Sequence, residues 1–122
     1  MKLLIAEDEK MLLKTMAFFL EKRGYDITQV FNGNDAVEVL KKETFDLIIT
    51  DINMPFITGM EIINIVRNEL HLSVPIIVLT SVGLEKTELS AFEIGASEFI
   101  TKPFSLPVLA TRVEKLLLQA KK

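Results

Sequence analysis

Apolar residues along the 122-residue chain fall into short continuous runs separated by longer amphipathic stretches. Five runs stand out: Lys2–Ala6, Asp26–Val30, Asp46–Thr50, Pro75–Thr80 and Ser97–Thr101. Leu3-Leu4-Ile5, Leu47-Ile48-Ile49 and Ile76-Ile77-Val78-Leu79 do not alternate with polar residues. That is the pattern of strands covered on both faces, as in a parallel sheet. The stretches between them carry helical stripes. Leu12, Met16, Phe19 and Leu20 share one face, flanked by Lys14, Glu21 and Lys22, and Gly24 supplies a left-handed C-terminal residue. Val37 and Leu40 follow the Asn32-Gly33-Asn34 turn signal. Ile62, Ile63, Val66 and Leu70 form a third stripe, and Leu89, Phe92 and Ile94 a fourth, stopped by Gly95. Val108, Leu109, Val113, Leu116 and Leu117 form the fifth, ending among Lys115, Lys121 and Lys122, where cations suit a helix C-terminus.

Five strand–helix alternations predict right-handed βαβ units with helices on both faces of a parallel sheet. The expected fold is α/β, a three-layer αβα sandwich. Neither a linker nor a low-complexity stretch interrupts residues 1–122, so one domain is expected.

Composition narrows the functions. Hydrophobic residues make up 49% and charged residues 25%, ordinary for a globular domain. Lys and Arg total 14 against 17 acids, a net charge of −3, which argues against nucleic-acid binding by this domain. The absence of cysteine excludes disulfides, thiolate metal sites and cysteine nucleophiles. No apolar run approaches the ~18 residues of a membrane span, and the N-terminus lacks a secretory signal, so a cytoplasmic location away from membranes is expected.

Candidate chemistry gathers where the strands end, which is where open parallel sheets bind ligands. The first ends at Glu7-Asp8, the third at Asp51, the fourth at Thr80-Ser81 and the fifth at Thr101-Lys102-Pro103. If the first and third strands are neighbours, three carboxylates share one pocket and repel. A hard divalent cation such as Mg2+, keeping several of its waters, relieves that repulsion. With the Lys102 ammonium added, the pocket is neutral and suited to an anionic phosphoryl group, with a carboxylate as nucleophile. Asp51 alone would equally suit a turn before Met54-Pro55. His71, the one histidine, reads as a surface residue, and the five methionines as core filler.

Taken in order, Leu4-Ile5-Ala6-Glu7-Asp8, Asp46 to Asp51, Met54-Pro55 with Gly59, Pro75 to Thr80, and Gly95-Ala96 running to Thr101-Lys102-Pro103-Phe104 resemble the receiver domain of two-component response regulators. The resemblance covers essentially the whole chain. It implies a flavodoxin-like (CheY-like) fold with strand order 2-1-3-4-5. It also implies a phosphorylation-activated switch, catalysing only its own phosphorylation and dephosphorylation. By this resemblance Asp51 accepts the phosphoryl group from a sensor histidine kinase or phosphotransfer protein. Mg2+ is held by Asp8, Asp51 and the backbone carbonyl of Asn53, with Glu7 acting through water. Lys102 and Thr80 contact phosphoryl oxygens, Phe99 changes rotamer with Thr80, and the Lys102–Pro103 bond is cis. The face made by the fourth helix, fifth strand and fifth helix, with Lys86, Phe92, Glu98, Arg112 and Lys115, changes partner affinity, and a phosphorylation-dependent homodimer is one expected form. In a regulator that carries an effector domain, the linker to it would begin after the fifth helix.

The chain departs from the family's commonest pattern at Thr58, at Ser97-Glu98-Phe99, where Phe99 lacks a hydroxyl, and at Val82, beside the phosphoryl site. Two alternatives stand beside the switch. A phospho-independent binding module would usually have lost a site residue, and none is lost. An FMN carrier on the same fold needs a hydroxyl- and glycine-rich phosphate loop, where this chain has Glu7-Asp8-Glu9.

Overall fold

The architecture is that of a computed structural model describing residues 1–81 and 85–120, with the side chains of residues 85–88 left aside. Five strands, β1 (Lys2–Ala6), β2 (Asp26–Val30), β3 (Leu47–Asp51), β4 (Ile76–Thr80) and β5 (Glu98–Thr101), alternate with five helices, α1 (Lys10–Glu21), α2 (Gly33–Lys42), α3 (Gly59–Asn64), α4 (Glu85–Ile94) and α5 (Leu106–Ala120). All pairings are parallel, in the order β2-β1-β3-β4-β5. The expected αβα sandwich with the 2-1-3-4-5 order is therefore the observed one.

Alternate residues of the sheet feed two cores. Leu3, Ile5, Leu47, Ile49, Ile77 and Leu79 face α1 and α5. Leu4, Ala6, Ile48, Ile76 and Val78 face α2, α3 and α4. Every residue of β3 and β4 is buried, which accounts for their unbroken apolar runs.

Local signals act as their chemistry dictates. The Asn32 side chain caps α2 by accepting from the Asp35 N–H at 2.8 Å. Thr58 and Glu61 form a reciprocal capping box on α3. Gly24 and Gly95 terminate α1 and α4 with φ of 96° and 117°.

The structure corrects several expected elements. β3 starts one residue later than expected and includes Asp51, while β4 begins after Pro75, which has no N–H for the ladder. The inward stripe of α1 includes Leu13 and Ala17, with Leu12 and Phe19 half-buried. The stripe expected on α4 is mostly outside: Leu89 and Phe92 are 55% and 47% exposed, and Ala91 turns inward instead. Val108 on α5 is also exposed. Beyond α3, a wider π-helical turn (Ile65–Glu69) replaces the expected α-helical continuation.

Candidate functional site

Strand order brings the chemistry together. β1 pairs with β3 so that Ala6 lies opposite Thr50, and the residues that follow, Glu7 and Asp51, emerge side by side. Glu7 is held there by its N–H bond to the Val30 carbonyl. Asp8 is exposed, yet carboxylate oxygens of Glu7, Asp8 and Asp51 all lie within 4.8 Å of one another.

Lys102 arrives from the far side of β4. Its N–H donates to the Thr80 carbonyl, fixing where its side chain starts. The four-carbon stem then spans the remaining strand, and Nζ sits 2.8 Å from both Asp51 Oδ2 and Glu7 Oε1. The Lys102–Pro103 bond that follows is cis.

The acids sit in unlike surroundings. Glu7 is fully buried, and its Oε2 accepts from the Glu9 N–H at 3.1 Å. Its Oε1 has no well-aligned hydrogen bond and lies 2.8 Å from the Lys102 ammonium. Burial pushes the Glu7 carboxyl up to about 7, against the pull of Lys102 and the Glu9 amide and with help from Asp51. For Lys102, burial disfavours the charge, but the Asp51 and Glu7 carboxylates outweigh it and hold the ammonium above the ordinary lysine value. Asp51 is nearly buried, and its Oδ1 accepts weakly from the Asn53 N–H at 3.3 Å.

Thr80 is buried at the end of β4, while Ser81 beside it is exposed. Phe99 on β5 is half-buried, packed against the α2–α4 side of the sheet and tilted against Phe92 with ring centroids 5.5 Å apart. Of the candidate partner face, Phe92 and Lys115 are exposed. Glu98 and Arg112 pair with each other at 2.6 Å. Val82 and the Lys86 side chain lie outside the described residues.

Two further residues shape the backbone around Asp51. Thr50 is buried, and its hydroxyl donates to the Asp51 carbonyl at 3.0 Å. Gly59 lies so close to Asp51 that a Cβ there would sit 2.4 Å from the Asp51 carbonyl oxygen.

The sequence pattern of the response regulator receiver domain matches residues 3–114. The chain belongs to the receiver domains of two-component response regulators. It is 33% identical over 114 residues to the transcriptional regulatory protein CrdR of Helicobacter pylori, covering 93% of this chain and 54% of that protein. This receiver thus spans about half the length of that curated relative. Among solved structures, it resembles the signal receiver domain of a signal transduction histidine kinase from Syntrophus aciditrophicus, at 34% identity and a TM-score of 0.90, covering 99% of this chain and 92% of that one. It likewise resembles the receiver domain of Francisella response regulator 1452, at 28% identity and a TM-score of 0.92, covering 98% of each chain. Receivers of this family work with histidine kinases and are generally not enzymes in their own right. No helix among the described residues is long and apolar enough to cross a membrane.

Proposed function

We propose that this receiver is a phosphorylation-activated switch in which Asp51 accepts a phosphoryl group from a phosphohistidine of a sensor kinase or phosphotransfer protein. The observation that carries the reading is the Lys102 ammonium seated equally between Glu7 and Asp51, with Asp8 within ligand distance of both acids. Lys102 alone cannot balance three carboxylates, and the all-oxygen donor set suits a hard divalent cation. Asp8, Asp51 and the Asn53 carbonyl would hold Mg2+, with Glu7 acting through water. When bound, the ion supplies positive charge against the phosphoryl oxygens.

An Asp51 carboxylate oxygen attacks phosphorus, the P–N bond to the donor imidazole breaks, and an acyl phosphate remains on Asp51. Lys102 transfers its pairing from the free carboxylate to a phosphoryl oxygen. The Thr80 hydroxyl donates to another, and most of the rate comes from positioning and charge. Thr80, drawn toward the phosphoryl group, vacates space into which the half-buried ring of Phe99 can turn. Having no hydroxyl, that ring is held by packing alone. The change is read out on the face of α4, β5 and α5 by Phe92, Glu98, Arg112 and Lys115, with a homodimer as the expected product.

Intact mass after incubation with Mg2+ and acetyl phosphate tests the reading. One phosphoryl group should be gained, and Asp51→Asn should gain none. Equal uptake by the variant would refute the assignment of Asp51. Light scattering with beryllofluoride and Mg2+ should show dimers, and an unchanged monomer would remove that output.

A further inference from the structure

The described part of helix α4, on the proposed output face, is lightly held. Of its described side chains, Leu89 to Ile94, Ala91 alone is buried, and Leu89 and Phe92 are about half exposed. Its C-terminal end is nevertheless gripped. The Arg67 guanidinium, reaching across from the π-helical turn, donates from Nε and Nη2 to the Gly95 carbonyl at 3.1 and 2.8 Å. Its Nη1 donates to the Leu72 carbonyl at 2.8 Å.

The local fold is built around this grip. The wide turn lets the Leu70 N–H reach Ile65 and the Leu72 N–H reach Val66, which folds the chain back and delivers the Leu72 carbonyl to Arg67. Gly95 ends α4 with φ 117°, and its N–H and that of Ala96 bond back to Ala91. Its own carbonyl is thereby turned outward, beyond the helix, toward Arg67. A Cβ on Gly95 would sit 2.8 Å from Arg67 Cγ and Nε, so glycine is what leaves room for the arginine. A planar donor fork suits two carbonyls at fixed separation, which the single ammonium of a lysine does not. π-turns inside helices recur at functional positions.

We propose that Arg67 is a positioning residue for the switch: it pins the C-terminal end of α4, so that any displacement of α4 pivots about Gly95. The clamp rests on geometry alone, and its consequence for switching rests on the function proposed above. Hydrogen exchange on the full chain, read by mass spectrometry, tests both. With Arg67→Met, amides of residues 91–97 should exchange at least tenfold faster, while those of β1 and β3 stay as in the parent. Arg67→Lys should fall between the two, and it carries the comparison by itself if the methionine variant does not fold. Exchange at residues 91–97 equal to the parent, or acceleration spread evenly over the sheet, would overturn the clamp. Adding Mg2+ and beryllofluoride should leave residues 95–97 unchanged in the parent and alter them in Arg67→Met. A change there in both, or in neither, would overturn the pivot. A parent chain that takes up no phosphoryl group from acetyl phosphate defeats the proposed function instead, since the exchange comparison without phosphate still decides the clamp.

Discussion

The two helical layers of this receiver are built differently. On one side α1 and α5 bury Leu13, Met16, Leu20, Leu109, Val113, Leu116 and Leu117 against the sheet. On the other, α2 and α3 bury Leu40, Ile62 and Ile63, but the described part of α4 buries Ala91 alone. Large aliphatics interlock and fix one arrangement, whereas an alanine contact stabilises less and resists sliding less. The first layer is a foundation. The second has, along α4, the looser construction expected of parts that move.

Truncations should expose that asymmetry most strongly. Leu13→Ala removes a fully buried side chain from the α1–α5 layer and should lower stability by about 3 kcal/mol, read from chemical denaturation midpoints. Leu89→Ala, at a position 55% exposed on α4, should change it by less than about 0.5 kcal/mol. Similar losses at the two sites would mean that the layers do not differ as described.

The pocket between the layers gives the next effect. Glu7 titrates near 7 in the folded chain against a reference of 4.5, mainly because it is buried. A carboxyl raised in this way favours folding fully below its unfolded value, and that contribution is lost as pH climbs through the folded value. The metal-free protein should therefore lose stability between about pH 5 and pH 8, and Glu7→Gln should flatten the slope. On the function proposed above Mg2+ binds the ionised form, so saturating Mg2+ should restore stability most at the alkaline end, and its binding should release protons near neutral pH. Calorimetric titration in two buffers of different ionisation heat measures that release. A pH-independent metal-free midpoint would show that Glu7 is ionised throughout.

The same contrast explains what was legible in the sequence. Unbroken apolar runs marked β1, β3 and β4 because both faces of those strands are covered, and large aliphatics at helical spacing marked α5. The acids and lysine at the strand ends were legible because each sits one or two positions beyond an apolar run, although the strand order that unites them came from the family resemblance. The looser layer was harder to read. On α4, Leu89, Phe92 and Ile94 looked inward by spacing; Ile94 is half-buried against the core, while the buried residue among those described is Ala91, whose single methyl hardly registers in a hydrophobic pattern. The π-helical turn and the Arg67 grip left no trace, since an arginine that binds two carbonyls looks the same in sequence as one that faces water. Glu7 was expected to act through water, and its direct pairing with Lys102 depends on a reach across β4 that sequence spacing does not encode.

The smallest predicted effect lies in the loop after Asp51. Phe56 is 77% exposed yet has φ of 70°, at the centre of a tight turn closed by the Ile57 N–H on the Pro55 carbonyl at 2.9 Å. A bulky residue in the left-handed region costs roughly 1 kcal/mol. The loop cannot relax that cost away, because both flanks are fixed. Ile57 is packed so tightly on Gly33 that a Cβ there would lie 2.1 Å from the Ile57 carbonyl oxygen. Gly59 is bonded to the Ile52 carbonyl at 3.0 Å and starts the capped helix α3. Phe56→Gly should relieve the backbone while giving the unfolded chain more freedom, for a net gain of about 0.5 kcal/mol. Phe56→Ala keeps the strained backbone and loses little buried surface, so it should fall below the glycine variant by about 1 kcal/mol. Thermal midpoints of the two variants measured side by side isolate the backbone contribution from that of the ring. If alanine matches or exceeds glycine, Phe56 is not strained, and the looser layer lacks the one tension its loop is argued to hold.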